Sequence, residues 1–244
     1  MNESAGEITR AAVIEGNLRA VRERLDRACA AAGRAPESVE LLAVTKNFPA
    51  TDVAHLVDLG CTAFGEAREQ EAAPKVAETA RLRPYVHPRW HVVGRLQRNK
   101  ARSVVRWAHR VESVDSERLL SALDNAAAKA GRDRPLEVLI QVSVDGDPGR
   151  GGCPPEGLDR VLQLAATAEH VQLRGLMAVA PQGADPDAAF ASVNALWVDV
   201  RERFPDADQL SLGMSGDLEA AVRHGSTCAR VGTALLGARP IAST

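Results

Sequence analysis

The chain has 244 residues, with 30 Lys and Arg against 32 Asp and Glu, a formal net charge of −2 and a hydrophobic fraction of 45%. Its length fits one barrel-sized domain or two small domains. No run approaches the roughly 18 apolar residues that cross a bilayer, and the N-terminus MNESAGEITRAAVIEG lacks the apolar stretch of a secretory signal. Because the net charge is close to zero, we expect no nucleic-acid partner, and we expect no membrane partner either.

Two residue types are scarce. Only four of the 30 basic residues are lysines, and the chain has one tyrosine, Tyr85. A mechanism that needs a lysine amine or a tyrosine hydroxyl therefore has few candidates. Lys75 and Lys129 lie in helical patterns that predict exposure, Lys100 starts a predicted helix, and Lys46 ends a predicted strand.

The cysteines and histidines form no metal-binding or disulfide pattern. The four cysteines are widely spaced and include no C-x-x-C pair, which favours free thiols and a reducing cytoplasm. There is no H-E-x-x-H, and Pro88 lies between His87 and His91. We therefore predict that these two histidines are loop and strand residues, and that the chain has no metal site.

The order of apolar runs predicts an alternation of strands and helices after one long helix. Residues 7–32 carry apolar side chains at helical spacing, and Gly33 is a plausible stop. The predicted strands are Leu41–Lys46, Ala63–Gly65, Trp90–Gly94, Arg110–Val114, Leu136–Ser143, Leu173–Val179, Gln209–Gly213 and Cys228–Leu236. The predicted helices between them are 51–59, 67–80, 97–107, 116–131, 155–169, 185–203 and 217–224.

Eight strand–helix units predict a (β/α)8 TIM barrel, with residues 1–34 as an extra N-terminal helix packed on it. Strands such as LLAV and VLIQV are apolar without alternation, as is typical when helices cover both faces of a sheet. A doubly wound open sheet is the alternative. No linker divides the chain, so we expect a single domain over residues 1–244, and the Gly- and Pro-rich segment 145–157 falls where a βα loop belongs.

Lys46 is the first candidate functional residue. Barrel chemistry is located at the carboxyl ends of the strands, and Lys46 ends the run LLAVTK. Desolvation at the barrel mouth would free its amine to attack a carbonyl and form a Schiff base. A surface lysine whose stem covers apolar side chains is the alternative.

The last two predicted strands are followed by sequences that favour a phosphate. LSLGMSGDLEAA runs through Gly213, Met214 and Ser215 into a helix, and Gly232-Thr233 opens a short helix after CARV. Free backbone N–H groups and hydroxyls at such positions bind phosphate, and barrels often bind phosphate after strands 7 and 8. Ordinary turn glycines and a Ser215 helix cap are the alternative.

Arg230 lies inside an otherwise apolar strand, where its charge must face the lumen or a partner. A lysine, a phosphate site and a lumenal arginine together describe a site for pyridoxal 5′-phosphate (PLP), with the arginine approaching the ring nitrogen. An arginine there would leave that nitrogen unprotonated and weaken the electron sink, which suits modest chemistry or none.

The blocks LLAVTKNFPATDV, FGEAREQEAAPKV, WHVVGRLQRNKA, LRGLMAVAP and LSLGMSGDLEAAVRHGSTCARVGTALLGAR resemble the pyridoxal phosphate homeostasis proteins, which are similar to the barrel domain of alanine racemase. The resemblance implies a PLP-binding barrel with Lys46 as the Schiff-base lysine. It also implies a phosphate held by Ser215, Gly232 and Thr233, and Arg230 at the pyridine nitrogen. It further implies a role in PLP homeostasis, in delivery to apo-enzymes and in amino- and keto-acid balance, without strong catalysis.

Three positions depart from the family pattern. Ala67 stands where the family usually has an Asn near the cofactor ring, and Arg95 adds a cation near the mouth. Arg150 stands in place of a loop lysine, which removes a possible second amine for PLP transfer.

Two other functions remain open at this point. A PLP-dependent amino-acid racemase needs an acid/base group on each face of the cofactor, and Tyr85 is not placed to act as the second; we interpret it as a packing residue in a proline-rich loop. A barrel for another phosphorylated metabolite would keep the phosphate site but leave Lys46 without a role. The low aromatic content, 3%, favours a monomer.

Overall fold

The computed structural model describes residues 9–147 and 151–238, and these residues form a closed barrel of eight parallel strands in the order β1 to β8. The barrel closes between β1 and β8, where Leu42 pairs with Arg230 and Ala43 with Val231. The strands are β1 Glu40–Val44, β2 Ala63–Glu66, β3 Arg89–Val92, β4 Arg110–Val114, β5 Leu136–Gln141, β6 Val171–Met177, β7 Gln209–Ser211 and β8 Cys228–Val231. The predicted barrel is confirmed, and the open-sheet alternative is wrong.

Helices follow the strands and cover the outside of the barrel. They are α1 Arg10–Ala31, α2 Ala50–Asp58, α3 Glu69–Leu82, α4 Ala101–Val104, α5 Glu117–Ala130, α6 Pro155–Thr167, α7 Pro186–Arg203, α8 Leu218–Arg223 and α9 Thr233–Leu236, with short 3-10 turns at Pro36–Ser38 and Arg98–Lys100. No helix within 9–147 and 151–238 is long and apolar enough to cross a membrane.

The extra helix α1 packs on the side of the barrel where the chain closes. Its Thr9 N-cap accepts a hydrogen bond from the Ala12 amide, and Ile14, Leu18 and Val21 are buried on one face. This face joins a core cluster with Leu218, Leu235 and other residues of α2, α8 and α9. Helix α1 is therefore an integral part of the wall around the last two strand ends.

Six of the eight predicted strands run too far at their carboxyl ends, whereas the predicted Arg110–Val114 matches β4 and Ala63–Gly65 ends one residue before β2 does. The clearest error is Cys228–Leu236, because β8 ends at Val231 and Thr233–Leu236 is helical. Leu235 and Leu236 are buried in that helix, and a short apolar run does not distinguish a buried helical turn from a strand. The predicted opening of a short helix at Gly232-Thr233 agrees with α9.

Candidate functional site

A cavity of about 500 Å³ opens at the carboxyl ends of β1 and β8. Six of the seven predicted cofactor residues line this cavity: Lys46, Met214, Ser215, Arg230, Gly232 and Thr233. The seventh, Gly213, lies outside the lining, with φ at +87° and no room for a side chain, because a Cβ there would stand 2.5 Å from that of Ala221. Its carbonyl accepts a hydrogen bond from the Arg230 amide at 2.9 Å.

Lys46 lies in a tight turn rather than in a strand. Strand β1 ends two residues earlier at Val44, and Asn47 adopts φ +66°, the one positive φ of a non-glycine residue in the described ranges. The Phe48 amide closes the turn on the Thr45 carbonyl at 3.1 Å. Lys46 is half-buried and lines the cavity. The sequence prediction placed it at the correct end of the barrel but extended the strand too far.

A buried ion pair lies directly beneath this turn. The Lys75 ammonium donates to Glu66 Oε1 at 2.7 Å and to the Thr45 carbonyl at 2.9 Å, and the Thr45 hydroxyl donates to the same carboxylate at 2.6 Å. Lys75 is only 9% exposed, so the prediction of an exposed lysine was wrong. Lys75 lies three residues after Ala72 and four before Thr79, which places it on the same buried face of α3. This helical spacing could have predicted its burial.

Arg230 is held in the lumen by a polar network that crosses the barrel. Its Nη1 donates to the Ser211 carbonyl and hydroxyl at 2.7 and 2.6 Å, and its Nη2 donates to the Ala178 carbonyl at 2.7 Å. Ser211 in turn donates to Glu112 at 2.6 Å, and Glu112 accepts from His91 Nδ1 at 2.8 Å. The predicted lumenal orientation of Arg230 agrees with this geometry, whereas sequence reasoning missed Glu112, Ser211 and the role of His91.

Glu112 carries a negative charge at the centre of this network. Burial alone would raise its pKa, but the hydrogen bond and charge of His91, the charge of Arg230 and the Ser211 hydroxyl together lower the pKa to about 2. The charge of Glu112, 3.9 Å from the guanidinium, thus helps to hold Arg230. Side chains alternate between the two faces of a strand, so Glu112 could have been placed on the same face as residues 110 and 114. The sequence of β4 alone does not show that this face is the lumenal one.

Two loops meet at the opposite wall of the cavity. The Ser215 hydroxyl accepts a hydrogen bond from the Ala234 amide at 3.2 Å and so connects the loop after β7 to the first turn of α9. A Cβ on Gly216 would meet nothing within 4 Å, so the backbone there faces open space. This wall offers hydroxyls and backbone N–H groups without a carboxylate among its lining residues.

Helix α1 fixes both of these loops. Arg24 donates to the Ser215 carbonyl at 2.6 Å and pairs with Glu219 at 2.6 Å, while Asn17 donates to the Leu235 carbonyl at 3.0 Å. Arg10 donates to the Leu236 carbonyl at 3.0 Å. The sequence predicted the helix but not this function, because exposed polar positions of a helix carry no signal for a distant partner.

Other sequence candidates lie elsewhere. Tyr85 is 96% exposed in the loop before β3, at the end of the barrel opposite the cavity, so its interpretation as a packing residue is wrong. Ala67 and Arg95 line a second cavity rather than the first. Arg150 lies outside the described residues. The four cysteines are free thiols, as predicted, and all four are buried.

The family model described as "Alanine racemase, N-terminal domain" matches residues 16–240. The chain is 51% identical over 241 residues to the pyridoxal phosphate homeostasis protein of Mycobacterium bovis, covering 93% of each chain. Its fold matches PipY of Synechococcus elongatus PCC7942, solved with PLP bound, at a TM-score of 0.79 and 35% identity, covering 92% of this chain and all of that one.

The alanine racemase of Streptomyces coelicolor is a more distant structural match. It gives a TM-score of 0.72 at 20% identity, covering 92% of this chain and 58% of that one, and this likeness concerns the fold alone. The family-model match and the close relatives agree with the barrel described above. The chain belongs to the pyridoxal phosphate homeostasis protein family, whose barrel is that of the alanine racemase N-terminal domain.

Proposed function

We propose that this protein binds PLP in the cavity at the ends of β1 and β8 and serves PLP homeostasis. Lys46 would supply the amine, Ser215, Gly232 and Thr233 would hold the phosphate, and Arg230 would meet the ring nitrogen. The observation that carries the proposal is that an amine, two hydroxyls and a buried guanidinium line one cavity of about 500 Å³. PLP supplies an aldehyde that condenses with a primary amine.

The residues present fit this cofactor. The wall formed by the loop after β7 and the first turn of α9, here called the phosphate wall, has open backbone at Gly216 and hydroxyls at Ser215 and Thr233, which suits a dianion. The Arg230 guanidinium offers only hydrogen-bond donors, and three hydrogen bonds to Ser211 and Ala178 fix its orientation. A ring nitrogen beside it would therefore accept a hydrogen bond and remain unprotonated, which limits the carbanion chemistry that the cofactor could support.

We further propose that the protein acts as a cytoplasmic monomer that passes PLP to apo-enzymes. The buried, unpaired thiols suit a reducing compartment. Large exposed apolar side chains in the described ranges are few, and the most exposed is Tyr85, whereas stable interfaces are rich in aromatic residues.

Titration with PLP tests this function. We expect a new absorbance band close to the visible range in the wild type and its loss in Lys46→Ala, while the matched variant Lys129→Ala, in an exposed position on α5, keeps the band. An unchanged band in Lys46→Ala would contradict the assignment of Lys46. Failure of the wild type to bind PLP would favour the alternative in which the barrel holds another phosphorylated metabolite.

A further inference from the structure

A second and larger cavity, of about 890 Å³, opens beside the first one. It is formed by the segments that follow β2, β3 and β4, and no residue lines both cavities. The chain leaves β3 between them, since Val93 lines the first cavity and Arg95 the second. The two cavities are therefore neighbours with separate linings.

The second cavity is strongly basic in a chain whose net charge is −2. Its lining has two acidic side chains, Glu69 and Asp115, against five basic ones. The basic residues are Arg68, Arg95, Arg98, Lys100 and Arg118. Such a concentration of like charge raises the local concentration of anions.

Much of this positive charge is not neutralised by the protein. Glu69 forms an ion pair with Lys100 at 3.5 Å, and Arg68 forms one with Glu71 at 2.8 Å. By contrast, the side chains of Arg95, Arg98 and Arg118 have no ion-pair or hydrogen-bond partner in the described part of the chain. Three guanidinium groups without a side-chain partner in the described residues therefore line one concavity.

The lining indicates the chemistry of the ligand. Guanidinium groups bind phosphate and carboxylate with two parallel hydrogen bonds, and Gln97 and Asn99 add neutral donors. No aromatic residue is among those that line the cavity, so a flat base would find no aromatic ring to stack on. The arrangement therefore favours a compact anion with several charges over a nucleotide.

The geometry points to a second binding site, in this cavity, for a small anion that carries two or more phosphate or carboxylate groups. Arg95, Arg98 and Arg118 would bind the charged groups. This proposal is independent of PLP binding, because Lys46 and the phosphate wall line the first cavity and not the second.

Calorimetric titration with pyrophosphate and, separately, with citrate tests this site. We expect one saturable site for at least one of these anions, and the preferred anion identifies phosphate or carboxylate as the recognised group. The double variant Arg98→Gln/Arg118→Gln should bind about tenfold more weakly or worse, because it loses two charge-assisted contacts. The matched control Arg102→Gln changes an exposed arginine of α4 outside the lining, and it should bind as the wild type does.

Each titration is repeated with PLP in excess, so that binding at the phosphate wall is recognised by competition. Binding that persists with PLP and is weakened only by the double variant supports the site. The proposal is overturned if neither anion saturates, if PLP displaces the anion, or if Arg102→Gln weakens binding as much as the double variant does. The comparison of the double variant with Arg102→Gln does not depend on whether PLP itself forms an adduct at Lys46.

Discussion

Lys75, Glu66 and Thr45 form a buried cluster that supports the turn before Lys46. The Lys75 ammonium bridges the Glu66 carboxylate and the Thr45 carbonyl, and Glu66 is 1% exposed. A buried charge without its partner is costly, because the low-dielectric interior replaces water around it. The Lys75 ammonium thus holds the Thr45 carbonyl, directly before Lys46, in place and compensates the negative charge of Glu66.

Lys75→Met should lower the free energy of unfolding by about 3 to 5 kcal/mol, since the buried Glu66 carboxylate would lose its counter-ion and keep only the hydrogen bond from the Thr45 hydroxyl. Denaturant unfolding followed by circular dichroism measures this change. Lys129→Met, at an exposed position on α5, is the matched control and should cost less than about 0.5 kcal/mol. Equal stability of the two variants would show that the buried pair does not support the turn.

Glu112 should make the stability of the barrel depend on acid. Its pKa is about 2 in the folded protein against an ordinary value of 4.5, so its ionised form favours folding above pH 4.5. That contribution, about 3 kcal/mol, is lost as the pH falls from 4.5 toward 2.

Unfolding measured between pH 6 and pH 2 checks this dependence. Glu112→Gln cannot ionise, so its stability should fall less steeply over the same window, while Glu156→Gln, at an exposed position of α6, should follow the wild type. Parallel curves for the wild type and Glu112→Gln would mean that the network around Arg230 does not hold the charge on Glu112.

At the level of single residues, the sequence identified the groups that point into the cavity better than the groups that hold them. Lys46, Ser215 and Arg230 were found because polar side chains at the ends of apolar strands are conspicuous. Glu112 acts through Ser211, which is 99 residues away in the chain, and Lys75 donates to the carbonyl of Thr45, which is 30 residues away. No local pattern encodes such a pairing.

Helix α1 has a structural role at the scale of whole elements. Its apolar face packs against α8 and α9, and its polar side chains Arg24 and Asn17 hold the carbonyls of Ser215 and Leu235. The helix therefore fixes the two loops of the phosphate wall relative to each other.

Arg24→Met should weaken PLP binding by about tenfold while leaving the cavity residues unchanged, because a hydrogen bond to a charged group contributes about 1.5 to 3 kcal/mol. Fluorescence or absorbance titration with PLP measures the dissociation constant. Arg27→Met changes an exposed arginine of the same helix and is the matched control. Identical affinities for both variants would show that α1 does not preorganise the loops.

Among the elements, the eight strands were predictable because uninterrupted apolar runs alternated with amphipathic stretches. Their carboxyl ends were not, since the buried residues Leu235 and Leu236 continue the apolar run of β8 into a helical turn. The contacts of α1 with the loops likewise arise from tertiary packing, which the period of its apolar residues does not specify.

In the whole molecule, the two cavities lie at the same end of the barrel but next to different strands. The cavity with Lys46 and the basic second cavity open at the carboxyl ends of the strands, as barrel architecture requires. Tyr85 lies at the other end, so the one tyrosine of the chain is remote from Lys46. The one tyrosine of the chain therefore supplies no acid/base group at this cavity.

The central claim is that Lys46 is the residue to which PLP binds covalently. Protein saturated with PLP is reduced with borohydride, digested and mapped by mass spectrometry, and the four lysines of the chain make the result unambiguous. The account predicts the mass of a reduced pyridoxyl phosphate on the peptide that contains Lys46. An adduct confined to Lys75, Lys100 or Lys129, or no adduct on any lysine, would contradict it.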